Sequence, residues 1–95
     1  MNLIIVVPSY NMNEQCYKNV LSLQNQIPEA KFLVVNNSST NREYLDKLPA
    51  SIIVEDNIYP NSYEAGALLH AYNKYEFDNY FLIIDLVYFK IKFHL

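Results

Sequence analysis

The chain alternates between apolar runs and helix-period stretches, and each apolar run is ended by polar groups. The first run, Leu3-Ile4-Ile5-Val6-Val7, stops at Pro8-Ser9-Tyr10-Asn11. It does not alternate, so it reads as a strand buried on both faces, as strands inside a parallel sheet are. A second strand is expected over roughly Lys31 to Val35, ending in Asn36-Asn37-Ser38-Ser39-Thr40. A third covers Ile52-Ile53-Val54-Glu55, and a fourth runs from Tyr80 to Ile84 and is terminated by Asp85.

Helical spacing fills the gaps. After Asn11, the residues Tyr17, Val20, Leu21 and Gln24 fall on one face and Pro28 closes the segment. Asn11 and Glu14 have capping-box spacing, with Asn13 as a rival cap. A short helix is expected over Arg42 to Lys47, capped by Asn41 and stopped by Pro49. A longer one is expected over Tyr63 to Tyr75, capped by Ser62, with Leu68, Leu69, Tyr72 and Tyr75 on its core face. The loop from Asp56 to Asn61 joins it to the third strand.

This β-α-β-α-β-α-β order implies an α/β fold, a mostly parallel Rossmann-like sheet with right-handed crossovers and flanking helices. The expected strand order is 3-2-1-4. The tail differs, because Phe89, Ile91, Phe93 and Leu95 alternate with Lys90, Lys92 and His94. Period two marks a strand with one solvated face. No crossover segment separates it from Ile84, so it is not a further parallel strand. It reads as an amphipathic edge strand or a loosely attached extension, and an exposed edge there invites self-association.

Length and composition narrow the function classes. At 95 residues the chain is one domain. Its single glycine, Gly66, excludes both the GxGxxG turn and the Walker-type phosphate loop. A dinucleotide-binding Rossmann domain is therefore disfavoured. The net charge of −3, without a lysine or arginine cluster, argues against a nucleic-acid partner. A phosphorylated ligand would need its charge met by a divalent cation. No apolar stretch is long enough to cross a membrane, and Asp85, Lys90 and Lys92 interrupt the C-terminal one. Met1 to Val7 lacks the basic flank of a secretory signal. Cys16 is the one cysteine, which fits a reducing compartment, and the cytoplasm is the expected location.

Open α/β sheets bind ligands beyond the strand C-termini, where strand order reverses. In order 3-2-1-4 that point lies between the first and fourth strands. Ser9, Tyr10 and Asn11 converge there with Asp85, and Asn36 ends the neighbouring strand. Taken singly, Pro8 to Asn11 reads as a strand end with a helix cap, and Asn36 to Asn41 as a turn with a cap. Glu55 and Asp56 read as a solvated loop, with a ligand contact the lesser reading. His70 reads as structural and Cys16 as an inert buried thiol. Gly66 reads as a place of close packing.

Three segments together carry a family resemblance. Ile4-Ile5-Val6-Val7-Pro8-Ser9-Tyr10-Asn11 resembles the first strand of the family-2, GT-A-type nucleotide-sugar glycosyltransferases. Leu33-Val34-Val35-Asn36-Asn37-Ser38-Ser39-Thr40-Asn41 is similar to that family's VVDNGSTD stretch. Glu55 to Asp85, with Asn57, Glu64-Ala65-Gly66-Ala67 and Tyr80-Phe81-Leu82-Ile83-Ile84-Asp85, resembles the approach to its DxD motif. The likeness covers residues 1–85 and leaves 86–95 as an atypical tail.

The resemblance implies a GT-A domain that binds a nucleoside diphosphate sugar, commonly a uridine one, for transfer to an acceptor hydroxyl. Pro8, Ser9 and Tyr10 would wall the base and ribose pocket, with Asn11 beside them. Asn36 would stand where the family usually has an aspartate reading the base. Asp85 would match the first carboxylate of DxD, which contacts ribose or a diphosphate-bound Mn²⁺ or Mg²⁺. Two departures matter: Asn36 lacks the charge, and Val87 stands in place of the second acid. The acceptor half and catalytic base would lie beyond this chain, so no catalytic residue is assigned. The expected form is a truncated, N-terminal portion, and its alternative is an inactive remnant serving as a binding or interaction module.

Overall fold

Strand pleating divides the apolar side chains between two layers, one on each side of a central sheet. A computed structural model describes residues 2–59, 63–84 and 89–93. The elements are β1 (Leu3–Ser9), α1 (Glu14–Gln26), β2 (Lys31–Asn36), a 3₁₀ turn at Leu45–Lys47, β3 (Ile52–Asp56), α2 (Tyr63–Lys74), β4 (Asn79–Ile84) and β5 (Phe89–Phe93). The sheet order is β3-β2-β1-β4-β5. The first four strands are mutually parallel, in the expected 3-2-1-4 order, and β5 runs antiparallel along the outside of β4. The tail is thus an edge strand, as its alternation predicts.

β1 is central and buried along its whole length. Leu3, Ile5 and Val7 face one layer, joined by Phe32, Val34, Ile52 and Ile83, and covered by Val20 of α1 with Met12 and Leu45. Ile4, Val6, Leu33, Val35 and Leu82 face the other, where Ala67 and Ala71 of α2 cover them. Burial on both faces explains why these strands lack polar alternation.

Three local expectations need correction. Asn13, not Asn11, caps α1: its side chain accepts from the Cys16 N–H at 2.8 Å. Asn11 is unavailable because its backbone is left-handed, with φ 49°, and its amide is engaged across a loop. Arg42 to Lys47 makes only the 3₁₀ turn at its end. There Asn41 accepts from Glu43 N–H two residues on, a turn that competes with helix nucleation. Finally, α2 presents a different face from the expected one. Gly66, Ala67, His70 and Ala71 are buried, whereas Leu69 and Tyr72 are 44% and 54% exposed. Leu68 and Tyr75 do pack against the core, from its flank. Small side chains let the helix lie close on the sheet, which displaces the bulky ones sideways.

Gly66 sits where that approach is tightest. A Cβ there would lie 2.6 Å from the Tyr59 carbonyl oxygen and 2.9 Å from Tyr59 Cβ. The glycine admits the chain of residues 57–59 over the start of α2, so close packing is its role. Ser62 and Asp85 lie outside the described residues, so their expected roles as helix cap and site carboxylate do too.

Candidate functional site

The C-terminal ends of β1, β2 and β3 form a rim built largely from amides. Register places Ser9 beside Asn36, and Asn36 beside Asp56. By pleat alternation all three project to the α1 side of the sheet. Together they make a polar row immediately above the apolar row Val7, Val34 and Val54. Ser9 and Asn36 are 3% and 4% exposed, and Asp56 is exposed.

Each member of the row stands differently. Asn36 Nδ2 donates to Asp56 Oδ1 at 3.1 Å, and its Oδ1 accepts from the Ser39 N–H at 3.2 Å. These partners fix which way the amide points, since the reverse would set its oxygen against the carboxylate. Among the described residues, the Ser9 hydroxyl is buried without a hydrogen-bond partner. A native structure leaves few such groups, and each one invites an explanation.

The loops above the row are stitched to one another. Asn11 Oδ1 accepts from Thr40 N at 2.8 Å and from Asn41 N at 2.9 Å, while Asn11 N donates to Ser39 Oγ at 2.9 Å. Asn37 N donates to the Ser9 carbonyl and Asn57 N to the Asn36 carbonyl, both at 2.8 Å, so each ladder is extended by one bond beyond its strands. Asn57 Nδ2 reaches Asn37 Oδ1 at 3.3 Å. Ser38 adopts φ 58°, a second left-handed residue in the same loop cluster.

The β1 end of the rim lies at the expected reversal of strand order, between β1 and β4. The β1–β2 ladder continues to Ser9 and Asn36, whereas the register pairs of β1 with β4 stop at Val6 and Leu82. Pro8, which has no N–H to donate, lies just past that stop. Tyr10 follows and is 53% exposed. Of the residues expected at the site, Pro8, Ser9, Tyr10, Asn11 and Asn36 are therefore gathered at one end of the sheet. Asn11 acts there as a loop staple.

Asp56, read from the sequence as a solvated loop residue with a ligand contact the lesser reading, is the last residue of β3. Its signal was its register position, one step across from Asn36, which only the strand alignment reveals. Among the described residues, no group of three or more His, Cys, Asp or Glu could hold a metal ion. Asp85, the residue expected to hold Mn²⁺ or Mg²⁺, lies outside the described residues.

A second polar cluster lies on the opposite face and ties β3 to α2. Glu55 accepts from Tyr75 Oη at 2.6 Å and Lys74 Nζ at 2.8 Å, and pairs with His70 Nε2 at 2.7 Å. Burial pushes the Glu55 carboxyl up, but hydrogen bonds from His70, Lys74 and Tyr75, with the Lys74 charge, outweigh it and bring it down to about 2. Burial and the Glu55 carboxylate push Tyr75 up to about 12. Glu55 is thus no solvated loop residue. It is the centre of a structural clamp, and His70 has the structural role expected of it.

No family model matches the chain, and no curated protein matches it.

Proposed function

We propose that the rim binds a nucleoside diphosphate sugar, as the N-terminal half of a GT-A-type glycosyltransferase does, for glycosyl transfer to an acceptor hydroxyl. One observation carries this reading: the row Ser9, Asn36 and Asp56, which starts at the reversal of strand order beside β1 and has the exposed Tyr10 next to it. A row of donors and acceptors suits a base or ribose edge, and an exposed aromatic face suits stacking on the base. The three motifs that carry the family resemblance contribute these same residues in the same order. Calorimetric titration of the chain with UDP, with and without Mn²⁺, tests the reading. Saturable heat in the micromolar to low millimolar range is expected. Absence of heat and of amide chemical-shift change at millimolar ligand would overturn it.

A second reading, a catalytically inactive interaction module, has its own observation. Ala65, Leu68, Leu69 and Tyr72 form an apolar groove along the outer face of α2. Exposed apolar grooves of this kind mark interaction surfaces. Light scattering over a hundredfold range of concentration tests for a self-associating surface, and a mass that stays monomeric removes that version.

A further inference from the structure

We infer that the outer face of α2 is a homodimer contact, on which a second copy of this chain packs its own α2 antiparallel about a two-fold axis near Leu69. This rests on the interaction-module reading above and goes beyond it by naming the occupant, its orientation and the residues that set it.

The two helices differ on their outer sides. The exposed residues of α1 are Glu14, Gln15, Lys18, Ser22, Asn25 and Gln26, all of them polar. A helix wetted on its outer side should show that pattern. The exposed residues of α2 are Tyr63, Ala65, Leu69, Tyr72, Asn73 and Lys74. Gly66, Ala67, His70 and Ala71 already supply the face that α2 buries on the sheet. Ala65, Leu68, Leu69 and Tyr72 lie outside that face and line one apolar groove. An apolar stripe in that position is a surface made to be covered.

The stripe fits itself. Its four residues stand at i, i+3, i+4 and i+7, the spacing of a helix–helix seam. A two-fold contact must be self-complementary, and this one is. Antiparallel pairing about Leu68 and Leu69 brings each Tyr72 level with Ala65 of the second copy, so the largest side chain of the stripe meets the smallest. The leucines meet at the axis. The helix ends are complementary in charge, since Glu64 lies in the first turn and Lys74 in the last. Antiparallel pairing sets each within one residue of the other's level. Lys74 Nζ, held by Glu55 at 2.8 Å, has further protons to offer. Between those ends the exposed residues are uncharged, so no like charges are repeated across the axis. A helix of 12 residues is about 18 Å long. A contact of that length is smaller than those of permanent dimers, so this dimer forms and dissociates with concentration.

Sedimentation equilibrium of the 95-residue chain between about 10 μM and about 1 mM tests the inference. The mass is expected to rise from 11.2 kDa toward twice that value. Leu69→Glu and Leu69→Lys each bring like charges together at the axis. Each is expected to weaken the dimer at least about tenfold, at unchanged far-UV circular dichroism because Leu69 is exposed. An equimolar mixture of the two variants is expected to regain the dimer at low salt and lose it at high salt, because opposite charges then meet. A mass that stays at 11.2 kDa throughout would overturn the inference together with the self-associating version of the reading it rests on. A dimer that survives both substitutions, as one formed through the β5 edge would, overturns the inference and leaves that reading standing. Two monomeric variants that mixing does not rescue have the same consequence.

Discussion

Removing the charge of Glu55 gives the sharpest stability prediction. Its carboxylate accepts from Tyr75 and Lys74 and pairs with His70, all within 2.8 Å, and joins edge strand β3 to α2. Burial opposes the charge, yet the His70, Lys74 and Tyr75 contacts prevail and bring the carboxyl from 4.5 to about 2. A drop of that size corresponds to roughly 3 kcal/mol favouring the ionised form in the folded state. Lys74 is 56% exposed, so solvent screening reduces the usable part to about 2 kcal/mol. The folded value lies below the unfolded one. The contribution is therefore complete above pH 4.5 and is lost as pH falls through about 2. Glu55→Gln keeps the volume and removes the charge. At pH 7 it is expected to lower the urea midpoint by about 1 M, given typical slopes for small domains. Urea unfolding followed by far-UV circular dichroism from pH 7 to pH 2 measures the gap between wild type and variant, which should narrow below pH 5 and close near pH 2. A shift below about 0.2 M at pH 7, or a gap that stays constant to pH 2, would refute the reasoning.

Three further outcomes follow from the same geometry. Tyr75 has a folded value of about 12 against 10.0 unfolded, so its contribution is complete below pH 10 and is lost as pH rises through 12; Tyr75→Phe should therefore flatten the alkaline limb of a stability profile, as read by thermal melts between pH 8 and pH 12. Gly66→Ala gains about 1 kcal/mol of helix propensity but drives a methyl to 2.6 Å from a backbone oxygen, for a net loss of about 1–2 kcal/mol in urea unfolding, with faster amide exchange at Tyr59. Asn11→Ala loses the bonds to Thr40 and Asn41 and places a β-carbon at φ 49°, which should cost about 2 kcal/mol; Asn11→Gly should recover about 1 kcal/mol of that, and equal losses in the two melts would rule out backbone strain.

The strand sequences were legible because burial on both faces leaves an uninterrupted apolar run. Such a run, separated from the next by a helix-length segment, allows few arrangements. The gathering of Ser9, Tyr10, Asn11 and Asn36 at one end of the sheet followed from that order. The core face of α2 was not legible in the same way. Leu69 and Tyr72 are its bulkiest apolar residues, yet contact with the sheet is made by Gly66, Ala67 and Ala71. Side-chain size measures how much apolar area a residue has, and says nothing about how near the helix axis must lie. The role of Asn11 was hidden for a related reason: capping is a local pattern, whereas Asn11 bonds residues 29 and 30 positions away.

Glu55 and Asp56 are adjacent acids, and nothing in their sequence separates them. Pleating does, because successive residues of a strand face opposite ways. Glu55 turns toward α2, meets His70, Lys74 and Tyr75, and has its charge neutralised within the fold. Asp56 turns to the other face, meets only the Asn36 amide among the described residues, and remains open to solvent at the rim. One strand therefore carries a buried-side structural carboxylate and a solvent-open rim carboxylate side by side. A one-residue slip of β3 would turn Glu55 away from His70, Lys74 and Tyr75 and turn Asp56 away from Asn36. The clamp at Glu55 opposes that slip, so it fixes the register on which the rim depends. Charge removal at Glu55 should accordingly lower stability, whereas charge removal at the exposed Asp56 should change it by less than about 0.5 kcal/mol.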